Sequence, residues 1–309
     1  MIKIGTVNID TSHPHAFAAY LLQGNRARYT AIYNDAFRTD AEVEAFIEKY
    51  GLEKRYTDLD EMAQAVDIAF IQGCDWDKHV ALAEPFIKAG KAVFIDKPIA
   101  GRLSDLEKFE AYAKNGAKIY GSSSMRYTYE HQELFAKDKA ELGDIIHITA
   151  TVGVDEFNYA IHAVESITGL VGTARPISTR FIGTTTVNGN NCDSFYVRFD
   201  NGITACYHIA SPAWQPSTMT VVTTKTTHAI KIDSSKVYQA MLDTLLDELE
   251  GKPSLIATTE QLCDSVRIML AGKKSKLIGG EEVKVDDLKD EMLFDGAAFE
   301  KFYEAQQRK

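Results

Sequence analysis

The chain has 309 residues, 45% hydrophobic and 25% charged, and this ordinary globular balance excludes disordered, collagen-like and disulfide-scaffold classes. Its length predicts about two domains. Lys+Arg 34 against Asp+Glu 44 leaves a net charge of −10 that repels polyanions, and no basic cluster exceeds Lys273-Lys274, so no nucleic-acid partner is expected. Apolar runs such as Val66–Ile71 are far too short to span a bilayer, so no membrane partner is expected either. The chain opens directly on a strand-like run without a signal-peptide layout, and Cys74, Cys192, Cys206 and Cys263 stand far apart with no CxxC pair. These features point to a cytoplasmic enzyme with neither a zinc ribbon nor a disulfide framework.

The first ~120 residues alternate short β-rich runs with helical stretches, as expected for a domain within the usual size range. Strands are predicted at Ile2–Val7, Tyr29–Tyr33, Lys54–Thr57, Ile68–Gln72, Ala92–Ile95 and Lys118–Gly121. Helices are predicted between them at Ala16–Gln23, Thr39–Tyr50, Leu59–Gln64, His79–Ala89 and Leu103–Asn115. Nearly continuous apolar strands separated by helices imply a doubly wound, parallel, Rossmann-like sheet over residues 1–122, with ligands beyond the carboxyl ends of its strands.

The rhythm then changes. Residues 123–309 read as an α+β domain with an open, mainly antiparallel sheet. Strands are expected at Ile145–Val154, Ser178–Val187, Ser194–Phe199, Ile203–Ile209, Met219–Thr224 and Thr227–Ile232, with a helix at Tyr159–Leu170. Asp200-Asn201-Gly202 supplies a hairpin signal. The tail returns to helix at Val237–Leu249, Thr259–Leu270 and Asp287–Gln306, the last in a position to pack back on the first domain.

Five segments carry chemistry-bearing residues. At the turn after the first strand, a dinucleotide fold places Gly-x-Gly-x-x-Gly, where this chain has Asn8, Asp10 and His13. Three readings of that turn stand: Asp10, Thr11 or Ser12 caps the next helix; Asn8–His13 is an altered phosphate turn; or Asp10, His13 and His15 contact a sugar or a cation. Asp35, 22 residues beyond His13, either bonds a ribose 2′-hydroxyl, which favours NAD over NADP, or caps the helix near Thr39. The loop after Ile68–Gln72 carries Cys74, Asp75, Trp76 and His79 at the ligand edge of the sheet, with Trp76 suited to stacking on a flat ring. The alternative there is a surface loop with Asp75 or Asp77 as a cap.

Asp96-Lys97-Pro98 ends the next strand. Proline fixes the backbone there, and a lysine so held is a candidate proton-transfer or carbonyl-polarising group, with Asp96 placed to orient it. Asn158 and His162 lie i and i+4 on one helix face, and His162 is a candidate second proton-transfer group or a structural histidine. No other His or Cys shows ligand spacing, and no metal is assigned.

Together these segments resemble the Gfo/Idh/MocA family (glucose–fructose oxidoreductase, inositol dehydrogenase). Asp96-Lys97-Pro98 resembles its Glu-Lys-Pro motif, and Asn158–Val164 its Asp-x-Gly-x-His helix motif. Gly121–Tyr127 resembles the entry to its second domain, and Ala271–Val283 its C-terminal pattern. The chain resembles a variant without the GxGxxG fingerprint. The resemblance implies hydride transfer between NAD (NADP being less suited) and a sugar- or cyclitol-like polyol. It also implies a homo-dimer or homo-tetramer. Lys97 and His162 would be catalytic, with Asn158 where relatives have an aspartate, and Arg126, Tyr127, Asp155 and His162 would meet substrate. Trp214 and Gln215 are further candidates for the substrate side. Two other functions stay open on the same fold: non-redox or cofactor-recycling sugar chemistry, and ligand binding without turnover.

Overall fold

The computed structural model describes residues 1–308. The chain divides into two compact units, one of residues 1–122, 242–259 and 295–309, the other of residues 123–241 and 260–294.

In unit 1, strands β1 (Ile2–Val7), β2 (Ala27–Tyr33), β3 (Lys54–Tyr56), β4 (Ile68–Ile71), β5 (Ala92–Asp96) and β6 (Ile119–Ser122) form a six-stranded sheet. Every pairing is parallel and the order is β3-β2-β1-β4-β5-β6, with the reversal point between β1 and β4. Helices α1 (His13–Leu21), α2 (Asp40–Tyr50), α3 (Leu59–Ala65), α4 (His79–Lys88) and α5 (Leu103–Lys114) connect the strands. All residues of β4 and β5 are buried, which is why these strands read as uninterrupted apolar runs rather than alternating ones. Local signals set the helix ends. Thr39 and Glu42 form a capping box at the start of α2, and Gly51, at φ 67°, closes it in the left-handed conformation.

Unit 2 holds α6 (Tyr129–Phe135), α7 (Lys139–Leu142), β7 (Ile145–Gly153), α8 (Ala160–Leu170) and strands β8 (Pro176–Val187), β9 (Asn190–Phe199), β10 (Thr204–Ser211), β11 (Thr218–Thr223) and β12 (Thr227–Lys231). Helix α9 (Val237–Leu249) begins in unit 2 but from residue 242 belongs to unit 1, and unit 2 resumes with α10 (Thr259–Leu277) and the short β13 (Val283–Lys284). Its seven strands run β12-β11-β7-β10-β9-β8-β13, antiparallel except for the parallel β7–β10 pair. Ala205, Tyr207 and Ile209 of β10 are buried, whereas Thr204, Cys206 and His208 between them are half-buried, so the sheet is apolar on one face.

The last helix, α11 (Gly296–Gln307), belongs to unit 1 and starts later than the predicted Asp287. Phe294 is stacked on Phe157 with ring centroids 3.9 Å apart, within unit 2. Asp295 then caps α11 by accepting the Ala298 N–H at 2.8 Å. Among the described residues no helix is long and apolar enough to cross a membrane.

Candidate functional site

At the carboxyl edge of the unit 1 sheet, the β1–α1 turn is built by Asn8. Its φ of 65° is a left-handed conformation that asparagine tolerates better than most residues, so Asn8 makes the backbone turn for which the fingerprint uses glycine. Its side chain clamps the end of β2. Asn8 Nδ2 donates to Asp35 Oδ1 at 3.0 Å, and the Asp35 N–H donates to Asn8 Oδ1 at 2.9 Å. Gly73 allows the loop after β4 to approach, since a Cβ there would lie 3.1 Å from Asn8 Nδ2. Thr11 Oγ1 accepts the His13 N–H at 3.2 Å, while the exposed Ser12 occupies the N-cap position without a side-chain bond.

Asp10 turns inward. It is fully buried, and its Oδ2 accepts the Cys74 N–H at 2.9 Å. Burial, with the Glu300 charge adding, pushes its carboxyl up to about 6 despite the Cys74 hydrogen bond. Arg38 donates to the Asp10 carbonyl at 3.2 Å. The direction of the carboxylate therefore sets it apart from the backbone N–H groups that start α1.

The loop after β4 is more structural than the sequence suggested. Asp75 caps the 3₁₀ turn Trp76–Lys78, as its alternative reading held. Trp76 is 3% exposed with its ring 5.0 Å from Phe299 of α11, so its face is already covered. His79 is fully buried, its ring nitrogens facing the carbonyls of Gly73 at 2.9 Å and Ile99 at 3.1 Å. The Cys74 thiol is buried, and burial pushes its pKa well up, which removes any nucleophilic role.

Beyond β5, Asp96 is held rather than left to orient the lysine side chain. His13 Nδ1 lies 2.8 Å from its Oδ2, and the Lys97 backbone N–H donates to its Oδ1 at 2.8 Å. Burial alone would raise the Asp96 carboxyl. The His13 ring beside it outweighs that and holds it below the usual carboxylate range. The half-buried Lys97 thus stands on a backbone fixed from α1. The His13–Asp96 pair spans 83 residues and carries no sequence signal.

In unit 2, His162 stands in the first turn of α8 with Nδ1 2.7 Å from Ser123 Oγ. Ser123 also accepts the Met125 N–H at 3.1 Å and was not singled out from the sequence. Asp155 organises the entry to α8: its Oδ1 accepts the N–H groups of Phe157 and Tyr159, and its Oδ2 lies 3.4 Å from Asn158 Nδ2. Arg126 is placed differently from a substrate ligand. It is 6% exposed and donates from Nε to the fully buried Glu165 at 3.1 Å, and from Nη2 to Ser265 at 3.1 Å and to Thr168. Tyr127 is 1% exposed in the same core, and Trp214 is exposed on the loop before β11.

Comparison with known proteins gives a consistent fold. Residues 4–123 match the model of the oxidoreductase family with an NAD-binding Rossmann fold. No curated protein matches the chain in sequence. Among solved structures, a "probable dehydrogenase" of Thermotoga maritima superposes with a TM-score of 0.77 at 17% identity, covering 93% of this chain and 100% of that one. The scyllo-inositol dehydrogenase of Lactobacillus casei, solved with NAD(H) and scyllo-inositol, gives 0.72 at 18% identity over 93% and 100%. A Desulfitobacterium hafniense oxidoreductase, provisionally NADPH-dependent, gives 0.74 at 14% over 93% and 98%. At these identities the likeness is one of fold.

Proposed function

We propose that the chain, whose residues 4–123 match the oxidoreductase family with an NAD-binding Rossmann fold, is an NAD-dependent dehydrogenase acting on the CH–OH group of a sugar- or cyclitol-like polyol. The observation that carries this reading is Lys97, set by the His13–Asp96 pair just beyond β5 of a parallel sheet in the dinucleotide-binding order.

The residues of unit 1 fit a dinucleotide at the β1–α1 turn. Asn8 makes the turn without a glycine, and the Thr11, Ser12 and His13 backbone opens α1, where N–H groups attract a pyrophosphate. Asp35 supplies the acid at the end of β2 that meets a ribose diol, and its charge disfavours a 2′-phosphate. Asp10, Cys74, Asp75, Trp76 and His79 leave the cofactor set, since each is buried in contacts of its own. Asp96 stays as a positioning residue.

The bound nicotinamide supplies the hydride acceptor. His162 takes the hydroxyl proton. With Nδ1–H donating to Ser123 Oγ, the imidazole lone pair lies on Nε2, and the Ser123 bond persists as the ring becomes charged. Asn158 brings no carboxylate to share that charge. In unit 1, the Lys97 ammonium would donate to an oxygen beside the nicotinamide and stabilise negative charge there. Asp155 acts by setting the start of α8, and Arg126 and Tyr127 support its packing. The test is polyol oxidation followed by NADH formation: His162→Gln is expected to lose about 10²-fold in kcat/KM and the acidic limb of its pH profile, and unchanged kinetics would remove His162 from the mechanism.

A second reading, a ligand-binding protein without turnover, is favoured by α11. Its Phe299 and Tyr303 rings pack on Trp76 and Phe37, beyond β4 and β2, where the adenosine half of a dinucleotide would lie. Binding of a sugar or polyol by the folded protein, with no affinity for NAD and no turnover, would select it.

A further inference from the structure

Three ligand-type side chains that the proposed reaction does not use meet in unit 1. Asp10 from the β1–α1 turn, Cys74 from the loop after β4 and Glu300 from α11 each bring one ligand atom, all within 4.8 Å of one another. Asp10 and Cys74 are buried and Glu300 is half-buried. They come from three distant parts of the chain, so no ligand spacing betrays them in the sequence.

The Asp10 carboxylate is left incomplete. Its Oδ2 accepts the Cys74 N–H, whereas its Oδ1, in a fully buried residue, has no hydrogen-bond partner among the described residues. Among the described residues no ion pair reaches the Asp10 carboxylate, whereas Glu300 already pairs with Lys78. Arg38 donates to the Asp10 carbonyl and pairs with Glu42, and Lys78 divides itself between Glu300 and Asp75, both at 3.3 Å.

We propose that Asp10, Cys74 and Glu300 form a site for one divalent transition-metal ion of the zinc class, joining α11 to the carboxyl edge of the sheet. One sulfur and two carboxylate ligands suit zinc or cobalt, whereas magnesium and calcium take oxygen alone. Three protein ligands leave a fourth position for water or another ligand. The ligand atoms need to draw in by about 1 Å to meet bond lengths of ~2.0–2.3 Å, a movement the Glu300 side chain can supply. On binding, the Cys74 S–H bond breaks, its proton goes to solvent and the thiolate pair binds the ion, so affinity rises with pH. The site does not rest on the dehydrogenase reading.

The experiment is calorimetric titration of the untagged, chelator-stripped full-length protein with zinc, alongside cobalt as a spectroscopic probe. One equivalent of zinc is expected, with a sulfur-to-cobalt charge-transfer band in the cobalt form. Cys74→Ser is expected to abolish the band, and Glu300→Ala, on the half-buried face of a helix, to weaken zinc at least tenfold while circular dichroism stays unchanged. Absence of stoichiometric binding, a cobalt spectrum without the thiolate band, or equally tight binding by the folded Glu300→Ala protein would overturn the site.

Discussion

His13 Nδ1 lies 2.8 Å from Asp96 Oδ2 and 3.0 Å from Oδ1, so the first residue of α1 fixes the last residue of β5. The two side chains are 13% and 6% exposed, which limits solvent screening of the pair. His13→Gln is expected to destabilise the fold by about 2 kcal/mol at pH 7, the scale of a hydrogen bond to a charged group. It should also lower kcat for polyol oxidation more than it raises KM, because it loosens the support of Lys97. Urea unfolding and steady-state kinetics check both; a variant as stable and as active as the wild type contradicts the positioning role.

Asp10 gives a pH dependence of known sign. Its carboxyl moves from 3.8 to about 6 on folding, so the folded state keeps a proton that the unfolded chain loses between those values. Stability from this group is present below pH 3.8, falls as pH rises towards 6 and stays lower above it; the step corresponds to ~3 kcal/mol. In chelator, Asp10→Asn should therefore gain stability over the wild type at pH 7 relative to pH 4. Parallel stability curves for the two proteins would argue against a raised Asp10.

His131 carries the opposite sign. Thr128 Oγ1 lies 2.6 Å from its Nδ1, and its Nε2 must donate to the Ser166 carbonyl at 3.2 Å. Burial holds its pKa down to about 4, so the unfolded chain takes up a proton first as pH falls from 6.5. Its contribution is complete above pH 6.5 and is lost as pH drops towards 4. NMR titration should show a neutral Nε2–H imidazole at pH 5. A charged ring there would contradict the assignment.

The Arg126–Glu165 pair sits in the core of unit 2, with side chains 4% and 0% exposed. Arg126→Met leaves a buried carboxylate uncompensated and is expected to cost about 3–5 kcal/mol. The double variant with Glu165→Gln should recover part of that loss, as a double-mutant cycle of unfolding free energies would show. A small loss in the single variant would restore Arg126 as a candidate substrate ligand.

The fold class was legible because the strands follow simple physical rules. Runs such as Ile68–Ile71 and Ala92–Asp96 are buried on both faces and therefore apolar throughout. Helix α6 was not legible, since its seven residues bury only His131 and Leu134 and leave little periodicity to detect. The start of α11 was misplaced because Phe294 is tied to Phe157, a contact made 137 residues away in sequence. The parallel β7–β10 pairing leaves no local trace either. At the site, the Asp-Lys-Pro and Asn158–His162 segments stand out by type and spacing. The partners that define them do not: His13 with Asp96, Ser123 with His162 and Glu300 beside Asp10 are brought together only by the tertiary fold. Trp76 misled because an aromatic beyond β4 reads alike whether it awaits a ligand or packs on Phe299.

Calorimetric titration of the purified protein with NAD and NADP, after removal of any co-purified cofactor, tests the dehydrogenase assignment most directly. Micromolar binding of NAD, weaker binding of NADP and at least tenfold loss of NAD affinity in Asp35→Ala are the expected results. A folded, cofactor-free protein that binds neither dinucleotide would contradict it.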